Sequence, residues 1–166
     1  MLRDKNLVPL SHQRHDALFL CVRIERAHAA GDFDVAVWQK EVRHKFEESI
    51  CEHFQAEEKF LFPEAARYPE LERVVRELLR EHDTLRGYFS RAAAGTLDAE
   101  ALLSFAEKLS EHIRKEEREL FEGCQQVMPP EQLARVGAVL DEALKHRPDA
   151  CSMPSPETRL RPRGKN

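Results

Sequence analysis

Two segments of the chain share one pattern. His53-Phe54-Gln55-Ala56-Glu57-Glu58-Lys59-Phe60-Leu61-Phe62 reads His-x-x-x-Glu-Glu-x-x-Leu-Phe, and so does His112-Ile113-Arg114-Lys115-Glu116-Glu117-Arg118-Glu119-Leu120-Phe121. Each copy is preceded by a further histidine with a leucine three places on, His15 with Leu18 and His82 with Leu85. An internal repeat of this kind implies two related halves. The four-residue step between His and Glu is informative on a helix, where residues i and i+4 share a face with Cβ atoms about 6 Å apart. Two helix pairs related by an approximate two-fold axis would bring both copies around one point.

The rest of the chain agrees with helices. Apolar residues recur with helical period almost everywhere, and the alternating Val/Ile/Thr-rich runs of a sheet are missing. A first helix is expected from about Ser11, as N-cap, to Ala30, with Leu18, Phe19 and Val22 on one stripe, ended by Gly31-Asp32. A second spans roughly Asp34 to Arg67 and faces Phe46, Ile50, His53, Glu57 and Phe60 inward, with Pro63 expected to kink it. Pro69 opens a third, which carries Leu78, His82, Leu85 and Phe89 before Gly95 stops it. The fourth runs from about Asp98 to Met128 with Leu102, Phe105, Leu109, His112 and Glu116 inward. Short connections between four long helices predict an all-α, up-down-up-down four-helix bundle. Pro129-Pro130 then starts a short additional helix, about Glu131 to His146, that caps one side through Leu133, Val136, Leu140 and Leu144. Residues 1–147 form one bundle domain in this reading, and 148–166 a disordered tail too poor in apolar residues to pack.

In all four helices the histidine shares the core stripe, so the bundle would bury four imidazoles and two carboxylates. Two facing carboxylates out of water cost several kcal/mol and repel unless one is protonated or something positive lies between them. No Lys or Arg is assigned to the inward stripe beside both glutamates. Metal ions sharing the carboxylates as bridges satisfy charge and lone pairs together, and mixed imidazole and carboxylate ligands suit iron, manganese or zinc rather than calcium, magnesium or copper. The predicted ligands are His15, His53, Glu57, His82, His112 and Glu116. Glu58 and Glu117 stand about 40° beyond that stripe and are read as supporting residues at its rim. His28, His44 and His146 have no partner in the repeat and are assigned to the surface.

Composition narrows the partners. Charged residues make up 34 % of the chain, but the signs are interleaved and the net charge is -4, so neither nucleic acid nor an anionic membrane is selected. Arg159, Arg161, Arg163 and Lys165 in the tail are read as solvated. No stretch approaches the roughly 18 apolar residues of a membrane span, and the N-terminus lacks a signal core, so a cytoplasmic location is expected. Cys21, Cys51, Cys124 and Cys151 are far apart and read as buried thiols.

These motifs, together with Leu10-Ser11-His12-Gln13-Arg14-His15-Asp16-Ala17-Leu18, Glu81-His82-Asp83-Thr84-Leu85-Arg86 and Pro130-Glu131-Gln132-Leu133-Ala134, make residues 10–145 resemble the hemerythrin or His-His-Glu cation-binding family, in its bacterial branch. The resemblance implies two iron ions bridged by an oxo or hydroxo group, with His15, His53, His82 and His112 as terminal ligands and Glu57 and Glu116 as bridging carboxylates. Respiratory hemerythrins carry a further histidine four residues after the one matching His82. This chain has Arg86 there, which leaves water, Glu58, Tyr88 or His12 to complete one ion. The departure turns the expectation from oxygen transport toward a di-iron binding protein that senses oxygen, nitric oxide, peroxide or iron, without turnover of an organic substrate. A di-iron oxidase, peroxidase or reductase and a zinc-stabilised structural bundle are the alternatives.

Overall fold

The computed structural model of the chain describes residues 4–145 and Thr158. Five helices follow one another, with no strand among the described residues. After a 3-10 turn at Lys5–Leu7, helix α1 spans Val8–Ala29. Helix α2 covers residues 35–65, with α-helical Val35–Lys45, Cys51–Ala56 and Phe62–Ala65 joined by π turns at Phe46–Ile50 and Glu57–Leu61. Helix α3 is Pro69–Ala93. Helix α4 covers residues 99–127, with a π turn at Glu116–Phe121 between Ala99–Lys115 and Glu122–Val127. Helix α5 is Pro130–Leu144.

The ends of these helices have local causes. Asp34 accepts hydrogen bonds from the Ala36 and Val37 amides at 2.9 and 3.2 Å, and Asp98 from the Ala101 amide at 2.8 Å, so each caps the helix that follows it. Gly31 and Gly95 take φ of +72° and +70° after α1 and α3, a conformation that only glycine adopts without cost. Ser11 is not a cap. Helix α1 begins three residues earlier, because Pro9 fits the first turn, where no amide is required.

Helix α1 packs along α4 and α2 along α3, while α5 lies across the end where the first residues, the Glu57–Leu61 turn and α1 meet. Two apolar layers result. One gathers Leu10, Leu61, Phe62, Leu78, Phe121, Leu133 and Leu140, and the other Ala17, Ile24, Trp38, Phe54, Leu85, Phe89 and Phe105. Between them every helix of the bundle contributes a buried polar residue: Arg14 between Leu10 and Ala17, Glu57 between Phe54 and Leu61, His82 between Leu78 and Leu85, and Glu116 between Ile113 and Leu120. A polar layer thus crosses the middle of an otherwise apolar core.

Helix α1 presents a different face from the one expected. Its buried stripe is Leu10, Arg14, Ala17, Cys21 and Ile24, a run of alternating four- and three-residue steps, whereas Phe19 and Val22 are 42 % and 37 % exposed. The helix is apolar on more than one side, and contact with α4 decides which side goes in. The expected tail lies outside the described residues except for Thr158, as do Cys151, His146 and the side chain of His12. Thr158 is buried and accepts two hydrogen bonds from Arg23, at 3.1 Å on its carbonyl and 2.9 Å on Oγ1. Cys21 and Cys124 are buried, and burial pushes each thiol up to about 12, so both stay protonated. Among the described residues no helix is long and apolar enough to cross a membrane.

Candidate metal centre

The polar layer holds four residues whose ligand atoms all lie within 4.8 Å of one another: Glu57, His82, His112 and Glu116. All four are at most 1 % exposed. Each helical His-Glu pair closes as the four-residue spacing predicts, with His112 Nε2 at 2.9 Å from Glu116 Oε1 and His53 Nε2 at 3.1 Å from Glu57 Oε1. His82 Nε2 lies 3.5 Å from Glu57 Oε2 and 3.9 Å from Glu116 Oε1. The Nε2 atoms of His82 and His112 are 3.2 Å apart, so two imidazoles aim at one place.

The outer nitrogens of these two rings show why they aim there. His82 Nδ1 pairs with Glu58 Oε1 at 2.7 Å, and His112 Nδ1 with Glu81 Oε2 at 2.9 Å. A carboxylate on Nδ1 fixes the ring and leaves Nε2 free as a ligand, the usual arrangement behind a metal-bound histidine. Glu58 is in turn held by Arg86, with Nη2 at 2.8 Å, and Glu81 by Lys115. Phe54 stacks on His82 with ring centres 3.8 Å apart. Glu58 thus stands behind His82, on the far side of its ring from the cluster. Tyr88 is elsewhere, bonded to Ser104 at 3.0 Å. His28 and His44 are exposed.

Two of the three π turns among the described residues belong to this site. One starts at Glu57 and the other at Glu116, the equivalent glutamates of the two repeats. Pro63 follows the first, and its ring would crowd the carbonyl four residues back in a regular helix. No proline follows the second, so the proline is not the common cause. Two consecutive residues are buried at the end of each turn, Leu61 with Phe62 and Leu120 with Phe121, the Leu-Phe pair of each copy.

Arg14 is the residue that the sequence reading missed. Its guanidinium lies between the two buried carboxylates, Nη2 at 3.5 Å from Glu57 Oε1 and Nε at 3.3 Å from Glu116 Oε2, with Nη1 at 3.1 Å from Glu117 and the ring of Phe121 3.8 Å away. The expectation that no basic residue stands beside both glutamates is thus corrected. A signal was present, because Arg14 falls four residues after Leu10 and three before Ala17 on the stripe that α1 buries. His15, expected as a ligand, is exposed and is not brought to the cluster, since its neighbour takes the inward position. The structure thus brings together Glu57, His82, His112 and Glu116, sets His53 beside them, and leaves His15 outside.

Charge in the layer is balanced tightly. Burial raises the Glu116 carboxyl, but the His112 charge and the Arg14 guanidinium outweigh it and hold Glu116 well below the usual carboxylate range. Glu57 is pushed up by burial and by Glu116, yet His53 and His82 bring it below its ordinary value. His112 is pushed down by burial and up by Glu116 and Glu81, reaching about 10, and His82 is raised against burial by Glu116 and Glu57. The residues fit a transition-metal ion. Glu57 Oε1 and Oε2 and Glu116 Oε1 make no hydrogen bond among the described residues, which is costly for buried carboxylates, and with the His82 and His112 nitrogens the two carboxylates make up a set of two nitrogen and two oxygen donors.

The family profile of the hemerythrin HHE cation binding domain matches residues 6–124, well over half of the chain. The chain belongs to that family. Its cluster of buried His and Glu residues is where a domain of that description would bind a cation. No curated protein and no solved structure matches the chain.

Proposed function

We propose that this hemerythrin-family chain is a non-haem iron protein that responds to a small molecule, namely oxygen, nitric oxide, peroxide or iron itself, and does not turn over an organic substrate. The observation that carries the reading is the pair of imidazoles whose Nδ1 atoms are tied to Glu58 and Glu81 while both Nε2 atoms meet two buried carboxylates. Bound there, iron would supply a redox-active, Lewis-acidic centre. The protein's residues would hold its ligands in one tautomer and keep bulk water away.

A cavity beside the cluster supports a small partner. It offers ≈ 20 Å³ to the centres of water-sized molecules, and Arg14, His53, His112 and Glu116 line it together with apolar residues such as Ile50 and Phe54. That is room for about one or two water-sized molecules. A cytoplasmic setting accords with free thiols at Cys21, Cys51 and Cys124.

Iron analysis tests the reading directly. The aerobically purified protein should contain iron and absorb in the near ultraviolet, and its spectrum should change on one stoichiometric addition of nitric oxide or peroxide. A colourless chain that takes up no iron on anaerobic reconstitution would sink the proposal. A second reading, zinc holding the bundle together, draws on the compact set of four ligand atoms, since structural zinc is four-coordinate. It predicts zinc in the native protein and no spectral response to either reagent.

A further inference from the structure

The two bridging-type carboxylates divide their oxygens between two sides. Glu57 Oε2 and Glu116 Oε1 face His82 and lie with the two Nε2 atoms. Glu57 Oε1 and Glu116 Oε2 face Arg14, and His53 Nε2 lies 3.1 Å from the same Glu57 oxygen. Resting on the metal-binding reading above, we infer that this chain holds a single metal ion, on the His82 and His112 side, and that the Arg14 guanidinium stands in for a second ion by bridging the same two carboxylates.

The internal repeat supplies an independent argument. Glu58, second glutamate of the first copy, holds the Nδ1 atom of His82, first histidine of the second copy. By the approximate two-fold, Glu117 should hold His15 in the same way. It bonds Arg14 instead, at 3.1 Å, and His15 is exposed. At this pair of positions the symmetry that would build two equivalent halves is therefore broken on α1, and broken by a cation. Charge argues in the same direction. One divalent ion neutralises the two buried carboxylates, and the guanidinium is offset by Glu117 at the rim. A second divalent ion would add two positive charges against Arg14 in a site from which water is largely excluded, where like charges repel strongly.

Titrating the metal-free full-length chain with Co(II), and following the visible absorption together with bound metal after gel filtration, separates the possibilities. One equivalent at saturation is expected. Two equivalents for the wild-type chain overturn this inference while leaving metal binding intact, and none overturns the metal-binding reading itself. Arg14→Gln should raise saturation from one equivalent to two; a variant with unchanged far-ultraviolet circular dichroism that still stops at one overturns the role of Arg14. His15→Ala lies on the surface and should not disturb folding. It should still bind one equivalent with unchanged affinity, and a tenfold or greater loss would show His15 to be a ligand and overturn the inference.

Discussion

His112 holds two carboxylates at once, Glu81 on Nδ1 and Glu116 on Nε2, and this double contact dictates how the site must answer to pH. With its value raised to about 10, the metal-free ring carries a proton at neutral pH that a metal ion on Nε2 must displace. Zinc affinity measured by competition should therefore rise about tenfold per pH unit between pH 7 and 9 for each proton released. A flat profile would mean that His112 does not ligate. The residues behind the ligands should matter nearly as much. Glu81→Ala frees the His112 ring and should weaken metal binding by about 10- to 100-fold with little change in helix content, as should Glu58→Ala behind His82. Direct removal of a carboxylate is more severe. Glu57→Ala or Glu116→Ala should leave the purified protein with little or no metal by elemental analysis, and full occupancy in either variant would show the ligand set to be wrong.

At the scale of elements, the helices are positioned by a few close approaches. Gly137 of α5 faces Asn6 so closely that an added Cβ would come within 2.7 Å of the Asn6 carbonyl oxygen and 2.8 Å of its Cα. Backbone cannot give way as a flexible side chain can. Gly137→Ala should therefore destabilise the chain by about 1–3 kcal/mol, seen as a lower midpoint in urea. The helix starts are a milder case. Asp34→Ala and Asp98→Ala each remove a capping acceptor and should cost about 1 kcal/mol without touching metal content. The π turns at Glu57 and Glu116 carry a different kind of information, because each widens the helix where the site begins. A pattern read at 3.6 residues per turn finds the helix and its inward face but not the wider turn within it. Helix α1 shows the limit of periodicity from another side. Leu18, Phe19 and Val22 form one plausible stripe, and Leu10, Ala17, Cys21 and Ile24 another; only packing on α4 chose between them.

The whole molecule couples this site to stability. His112 and His82 are both raised by the buried glutamates, so in the metal-free chain their contribution is fully present below about pH 6.5. It is lost as pH rises through the folded value, about 10 for His112. The melting temperature of metal-free protein should fall across that window, and the fall should shrink once a metal ion has replaced the protons; equal slopes with and without metal would contradict the coupling. The same buried charges mark what could be known in advance. The repeated His-x-x-x-Glu-Glu-x-x-Leu-Phe determined by itself that the chain is helical, that Glu57 and Glu116 lie inward with His53 and His112, and that His82 joins them, because those relations follow from helical spacing and from the need to neutralise buried carboxylates. Caps and stops at Asp34, Asp98, Gly31 and Gly95 were equally local. What only the tertiary structure decided was which side of α1 faces the core, and with it whether His15 or Arg14 is turned toward the two glutamates. Neighbouring residues on one helix differ by about 100° in direction, and nothing within α1 ranks its faces; the fit against α4 and the pull of three carboxylates turn Arg14 inward.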